Sequence, residues 1–252
     1  MNGADLAGLG VLVTRPARQA EPLCALIEAQ GGRPVRFPAL DIQPSQDPSA
    51  ARRLLAQSWD LLIFVSANAV SEALALAGGL PDGIRLAVGA GTAQALAAAG
   101  WPAVRVPERA DSEGLLALPE LAEVAGRRIL ILRGEGGRAL LGDSLGQRGA
   151  EVAYAEVYRR LVPQADPAPL LRDWRRDIQA IIATSGELLT GLDQLLGAEG
   201  RALARSTPLV VAAPRIQDIA QRLGYARVRC AAGAGDAALV AALAALVWEA
   251  TP

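Results

Sequence analysis

Short apolar runs alternate along this chain with longer stretches in which leucine, isoleucine and alanine return at helical spacing. The runs at 11–13, 60–65, 85–89, 129–132, 178–183 and 209–212 are almost wholly apolar, the pattern of strands buried on both faces. The stretches 104–106 and 227–231 read as short strands as well. Helical periodicity covers residues 48–57, 187–196 and 236–248, the segment that begins at Pro214, and those opened by Ser66-Ala67-Asn68, Gly91-Thr92 and Ser112-Glu113. Strands alternating with helices predict an α/β protein with parallel sheets covered on both sides. Residues 33–44 (R-P-V-R-F-P-A-L-D-I-Q-P) break the rhythm. Pro34, Pro38 and Pro44 make this stretch an edge strand or a connector, because proline has no N–H to give a central ladder.

The pattern also repeats. The interval from Arg15 to Gly31 equals that from Arg133 to Gly149, each with a strand before the arginine, a helix after it and a glycine to close. The strand at 60–65 with its serine turn, helix, second strand and Gly100-Trp101 recurs as 178–183, Thr184-Ser185-Gly186, 187–196, 209–212 and Gly224-Tyr225. The order is A, B, A′, B′: two similar doubly wound α/β domains. They could form in chain order, dividing near residue 125. Alternatively the chain leaves the first domain, builds the second and returns, which needs two crossings. The extended segments 33–44 and 151–163 follow the two A units at matching places and favour the second arrangement.

Composition mainly removes chemistry. Histidine is absent and all 25 basic residues are arginine. Ser-His and Cys-His nucleophiles, histidine-bound metals, Schiff bases and the phosphate-loop lysine are therefore excluded. Cys24 falls in a helical pattern and Cys230 in a strand pattern; both read as reduced core residues, and two distant cysteines make no zinc site. No metal or cofactor is expected. A net charge of −1 argues against a nucleic-acid surface, and 52% hydrophobic residues against global disorder. The longest apolar run, 236–248, is shorter than the ~20 residues a bilayer requires. With no signal-like start, the expected location is the cytoplasm.

In open parallel sheets ligands lie at the carboxyl ends of the strands, where turns enter helix N-termini. Those turns hold Thr14 and Arg15, Ser66 and Asn68, Gly91 and Thr92, Arg133, Gly134 and Arg138, Ser185 and Gly186, and Arg215, with Ser112 opening a further helix. Free N–H groups there receive carboxylates or phosphates. Two domains presenting such edges to each other would enclose an anion-binding cleft and could close over a ligand. The plainer reading is that the hydroxyls only cap helices. Arg15 and Arg133 could grip carboxylates or brace their own turns. Tyr158, in E-V-Y-R-R, is by pattern an amphipathic sheet-edge residue. The stretches 134–139 and 233–238 match a relaxed dinucleotide fingerprint, but such matches come easily in a chain this rich in glycine and alanine, and no nucleotide is expected.

Taken together, these residues resemble the uroporphyrinogen-III synthase family. V-L-V-T-R-P at 11–16, V-S-A-N-A-V at 65–70, A-V-G-A-G-T-A at 87–93, S-E-G-L-L at 112–116, and R-G-E-G-G-R, G-A-E-V and V-Y-R-R between 133 and 160 carry the likeness in order along the whole chain. The resemblance implies two flavodoxin-like domains, residues 1–36 with 163–252 and residues 44–152, joined by connector strands at 37–43 and 153–162. It implies a cofactor-free enzyme of haem biosynthesis that closes the linear tetrapyrrole hydroxymethylbilane, inverting its last ring and losing water. That octacarboxylate suits anion-ready turns and calls for neither histidine nor lysine. The family's important tyrosine falls on Tyr158, its cleft hydroxyl on Thr92 and its serine turns on Ser66 and Ser185. Arg215 stands where some members carry threonine, so no hydroxyl role carries over there. The implied course is loss of hydroxide to an azafulvene, aided by a proton or hydrogen bond from Tyr158, then attack through a spiro intermediate that recloses inverted. Positioning supplies most of the rate. A monomer is expected, and the enzyme that makes the substrate is a candidate partner, whose part in handing it over the sequence leaves open. A non-catalytic two-lobed binder of a small polyanion would share these turns and is the rival reading.

Overall fold

The computed structural model describes residues 6–249. The chain divides into two units: one runs to Asp41 and resumes at Leu161, and the other spans Ile42–Arg160. Each is built on its own five-stranded sheet.

In the first unit the strands are β1 (Gly10–Val13), β2 (Arg33–Arg36), β8 (Ala180–Ala183), β9 (Leu209–Val211) and β10 (Val228–Cys230), in the order β10-β9-β8-β1-β2, every pair parallel. This is the flavodoxin-like order, with the first strand central and the sequence reversing direction beside it. β1, β8 and β9 are buried at every position, as their unbroken apolar runs require. β2, which carries Pro34, takes the edge. Helices α1 (Ala17–Ala29) and α10 (Asp236–Glu249) pack on each other, as do α7 (Ala168–Asp177), α8 (Gly186–Ser206) and α9 (Pro214–Arg222) around α8. The helix expected over 187–196 continues to Ser206 after a break at Gly197, whose φ of 63° and ψ of −166° lie outside any helix. Asp193 before the break accepts from Arg205 after it, at 3.1 Å, and from the Tyr225 hydroxyl at 3.3 Å. Burial and then the Asp193 charge push the Tyr225 phenol well above its ordinary range.

The second unit contains β3 (Asp41–Pro44), α2 (Pro48–Leu55), β4 (Leu61–Phe64), α3 (Ala67–Ala77), β5 (Ile84–Ala87), α4 (Ala90–Ala98), α5 (Ser112–Leu116), β6 (Arg128–Gly134), α6 (Leu140–Gln147) and β7 (Glu151–Leu161). Its order is β3-β7-β6-β4-β5, with β7, β6, β4 and β5 parallel to one another. Strand alternation splits its core in two. Leu62, Phe64, Leu130 and Leu132 point to the side of α2, α3 and α4, and Leu61, Ile63, Ile129 and Ile131 to the side of α5 and α6. All eight are essentially inaccessible, each contributing about 1.5–3 kcal/mol of hydrophobic stabilisation.

The repeat is visible in both sheets. Central β1 with neighbours β2 and β8, then β9, corresponds to central β6 with β7 and β4, then β5. The counterpart of β10, expected as a strand over 104–106, is only a single bridge between Arg105 and Leu86. Residues 153–162, expected as a connector strand, lie mostly in β7, which pairs with β6 from Glu151 to Tyr158. Among the described residues no helix is long and apolar enough to cross a membrane.

Candidate functional site

Register along β6 and β7 sets Tyr158 opposite Gly134, just past an irregularity in the ladder at Arg133 and Gly134. The Tyr158 carbonyl is held by the Glu135 N–H at 2.8 Å. Its ring packs against the Gly134 backbone so closely that a Cβ on Gly134 would lie 2.7 Å from ring atoms Cε2 and Cζ. Only glycine leaves room for the ring, which joins the core on the α3 side and is wholly enclosed.

The phenol's polar end meets two groups. Arg160 Nη2 donates to the Tyr158 hydroxyl at 2.7 Å, and Ser66 Oγ lies 3.1 Å from it. Ser66 is the N-cap of α3 and accepts from the Ala69 N–H at 3.0 Å. Counting donors fixes the direction of the remaining bond. The guanidinium and the amide can only donate, so the Tyr158 oxygen accepts from one and Ser66 Oγ from the other. Were Ser66 to donate to Tyr158, the buried phenol proton would lack an acceptor among the described residues, a cost of about 1–3 kcal/mol. The chain therefore runs from Arg160 to Tyr158 to Ser66 and leaves the Ser66 hydroxyl proton without an acceptor among the described residues.

The other turn residues of this unit differ in what they have left to offer. Arg133 is committed: Nε and Nη2 reach Glu156 at 3.2 and 2.8 Å, Nη1 donates to the carbonyls of Gly137 and Arg138 at 3.1 and 3.2 Å, and the guanidinium sits 3.9 Å from the Tyr154 ring centroid. It braces the turn. Arg138 itself is exposed. Thr92 is buried in the first turn of α4, its N–H on the Gly89 carbonyl at 3.1 Å, with Gly91 exposed beside it. Asn68 is half-buried in the first turn of α3. Ser112 was expected to open α5, and it does, but the cap is Asp111, which accepts from the Gly114 N–H at 2.8 Å. That bond, with help from Arg109 and Arg138, holds the Asp111 carboxyl below its usual range.

In the first unit the corresponding turns are more inward-looking. Thr14 is inaccessible and donates its hydroxyl proton to the Ile182 carbonyl at 2.8 Å. Arg15 pairs with Asp236 at 2.7 Å, tying β1 to the start of α10. Ser185 caps α8 by accepting from the Leu188 N–H at 3.2 Å, and Gly186 follows it, half-buried against Ile219. Arg215 is exposed in the first turn of α9, and among the described residues no hydrogen bond or ion pair engages its guanidinium.

Sequence reasoning gave no role to Arg160, and weighed Glu156 and Asp236 only as parts of nucleotide-like or strand-end turns, not as the partners of Arg133 and Arg15. Arg160 carried a signal: it lies two residues beyond Tyr158 in an alternating stretch, so both point to one face of a strand. Among the described residues no group of histidine, cysteine, aspartate or glutamate could hold a metal ion.

A repeated parallel sheet whose strand ends carry capped helix N-termini, in a chain without histidine or lysine, defines a two-domain α/β protein. Its chemistry rests on hydroxyl, guanidinium, carboxylate and main-chain groups. The family model described as uroporphyrinogen-III synthase HemD matches residues 21–241, and the chain belongs to that family. The uroporphyrinogen-III synthase of Escherichia coli strain K12 is 36% identical over 247 residues, covering 93% of this chain and 100% of that protein. The Salmonella typhimurium protein of the same name is 37% identical over 246 residues, with the same shares, 93% and 100%. In fold, a mutant uroporphyrinogen III synthase from the extremely thermophilic bacterium Thermus thermophilus matches with a TM-score of 0.65 at 23% identity, over 96% of this chain and 99% of its own. The Helicobacter pylori 26695 enzyme matches at 0.61 and 16% identity, over 94% and 99%.

Proposed function

We propose that this chain closes hydroxymethylbilane to uroporphyrinogen III, inverting the last ring and releasing water, with the hydroxyl chain at Tyr158 and Ser66 serving the departing hydroxyl. Family membership supports the reaction. The observation that carries the site is the 3.1 Å contact between the Tyr158 and Ser66 hydroxyls at a strand's carboxyl end, with a charged donor behind it.

Departure of hydroxide from the hydroxymethyl carbon leaves an electrophilic azafulvene, and a proton or strong hydrogen bond to the oxygen lowers that barrier. The substituted carbon of the last ring then attacks, forming a spiro intermediate that fragments and recloses inverted. The protein's larger task is to hold a flexible octacarboxylate in the reactive pose. Exposed or partly exposed turn groups (Asn68, Gly91, Arg138, Ser185 and Gly186, Arg215) are suited to carboxylates, as are the helix N–H groups beside them, with Thr92 buried next to Gly91. Thr14, Arg15 and Arg133 act one step back by holding turns in shape. Ser112 adds a hydroxyl at the start of α5. A cytoplasmic monomer that takes substrate directly from the enzyme that forms it fits this reading, because free hydroxymethylbilane closes spontaneously without inversion.

The test is to supply enzymatically generated hydroxymethylbilane and resolve the product isomers. The inverted isomer is expected in excess, and Tyr158→Phe should slow its formation without abolishing it. Product consisting of the uninverted isomer alone would leave only a polyanion binder.

A further inference from the structure

We infer that Ser66, and not Tyr158, is the group that passes the proton to the departing hydroxyl, with Tyr158 and Arg160 behind it as positioning residues. The inference rests on the reading of the reaction given above and goes further by assigning the order of the chain.

Three observations carry it. Tyr158 is wholly enclosed, its ring against the Gly134 backbone, so no substrate oxygen reaches its hydroxyl in this conformation. The Tyr158 oxygen is already engaged by Arg160 at 2.7 Å and by Ser66 at 3.1 Å. Ser66, by contrast, is only partly buried, and both its acceptor positions are used, by the Ala69 N–H and by Tyr158. The one proton in the chain without a receiver is on Ser66 Oγ, and it points out of the chain.

As the C–O bond of the hydroxymethyl group breaks, its electron pair leaves with oxygen, and the Ser66 proton converts it to water. Ser66 takes the Tyr158 proton, and the phenolate so formed lies beside the Arg160 guanidinium, which stabilises the charge. When the closed ring regains aromaticity it sheds one proton, which returns along the same path. One water leaves per turnover, and the chain ends as it began.

A double-mutant cycle on kcat tests this order. Ser66→Ala and Tyr158→Phe should each lower kcat by about 100-fold with KM little changed, and the double variant should be no slower than either. Arg160→Ala should lower kcat only when Tyr158 is present. Ser66→Thr, which keeps a hydroxyl, should stay within a few-fold of the parent. Ser66→Asn keeps a cap for α3 without a hydroxyl, so it should fold normally yet show the Ser66→Ala loss. Losses that multiply in the double variant, or a Tyr158→Phe loss with an unaffected Ser66→Asn, would overturn the order. A parent enzyme that fails the isomer assay fails the underlying reading instead, and the two failures are thereby distinct.

Discussion

In the unit built around β6, the serine that caps α3 receives a buried phenol, and that phenol is gripped by an arginine. In the unit built around β1, the serine that caps α8 has, among the described residues, only the Leu188 N–H. The two serines follow equivalent strands, β4 and β8, so the backbone geometry is shared. What differs is the strand on the far side of the centre. Carrying the Arg15/Arg133 spacing forward sets Leu40 in the place of Tyr158, and Leu40 is buried in the first unit's core. The equivalent arginines diverge as well: Arg133 makes four hydrogen bonds and stacks on Tyr154, while Arg15 makes one ion pair with Asp236. Duplication thus supplied two scaffolds with like turns, and the linked serine, tyrosine and arginine stand on one of them.

The largest effect should come from Gly134→Ala. Its methyl would sit where the Tyr158 ring lies, so the phenol must leave Ser66 and Arg160. We expect kcat to fall at least as far as in Tyr158→Phe, about 100-fold, with about 2 kcal/mol of stability lost to overpacking. Turnover together with urea denaturation checks both, and a fully active Gly134→Ala would show that the ring's placement is immaterial. Next in size is a stability contrast between the arginines. Arg133→Met should cost about 2 kcal/mol, because it strands Glu156 and two turn carbonyls, whereas Arg15→Met, which breaks one partly exposed pair, should cost about 1 kcal/mol. Equal losses in denaturant melts would erase the asymmetry between the turns. The smallest effect is expected from Ser185→Ala: about 1 kcal/mol for the lost cap and a modest rise in KM. If its kcat fell as far as that of Ser66→Ala, the proton path would not be confined to one unit.

Much of the scaffold was legible beforehand because burial on two faces forces unbroken apolar runs. β1, β4, β6, β8 and β9 all lie where those runs were, and the proline-marked stretch became the two edge strands β2 and β3. The capping serines were legible too, since a small hydroxyl residue just before a helical stretch has a local cause. β7 was harder. Its alternating pattern reads as an extended strand and also as a link between units, and only the pairing with β6 makes it a ladder member. The helix beyond Gly197 was missed because the break resets the helical phase.

Local rules of burial, capping and backbone restriction act over a few residues, so the order of amino acids by itself determined the central strands, the serine caps of α3 and α8 and the duplicated plan. Which arginines brace a turn and which face solvent, and whether Tyr158 is open or enclosed, depended on partners far along the chain. Ser66 and Tyr158 are 92 residues apart and meet only because β4 and β7 flank β6. A hydrogen bond of that kind is decided by sheet register, which only the tertiary structure sets.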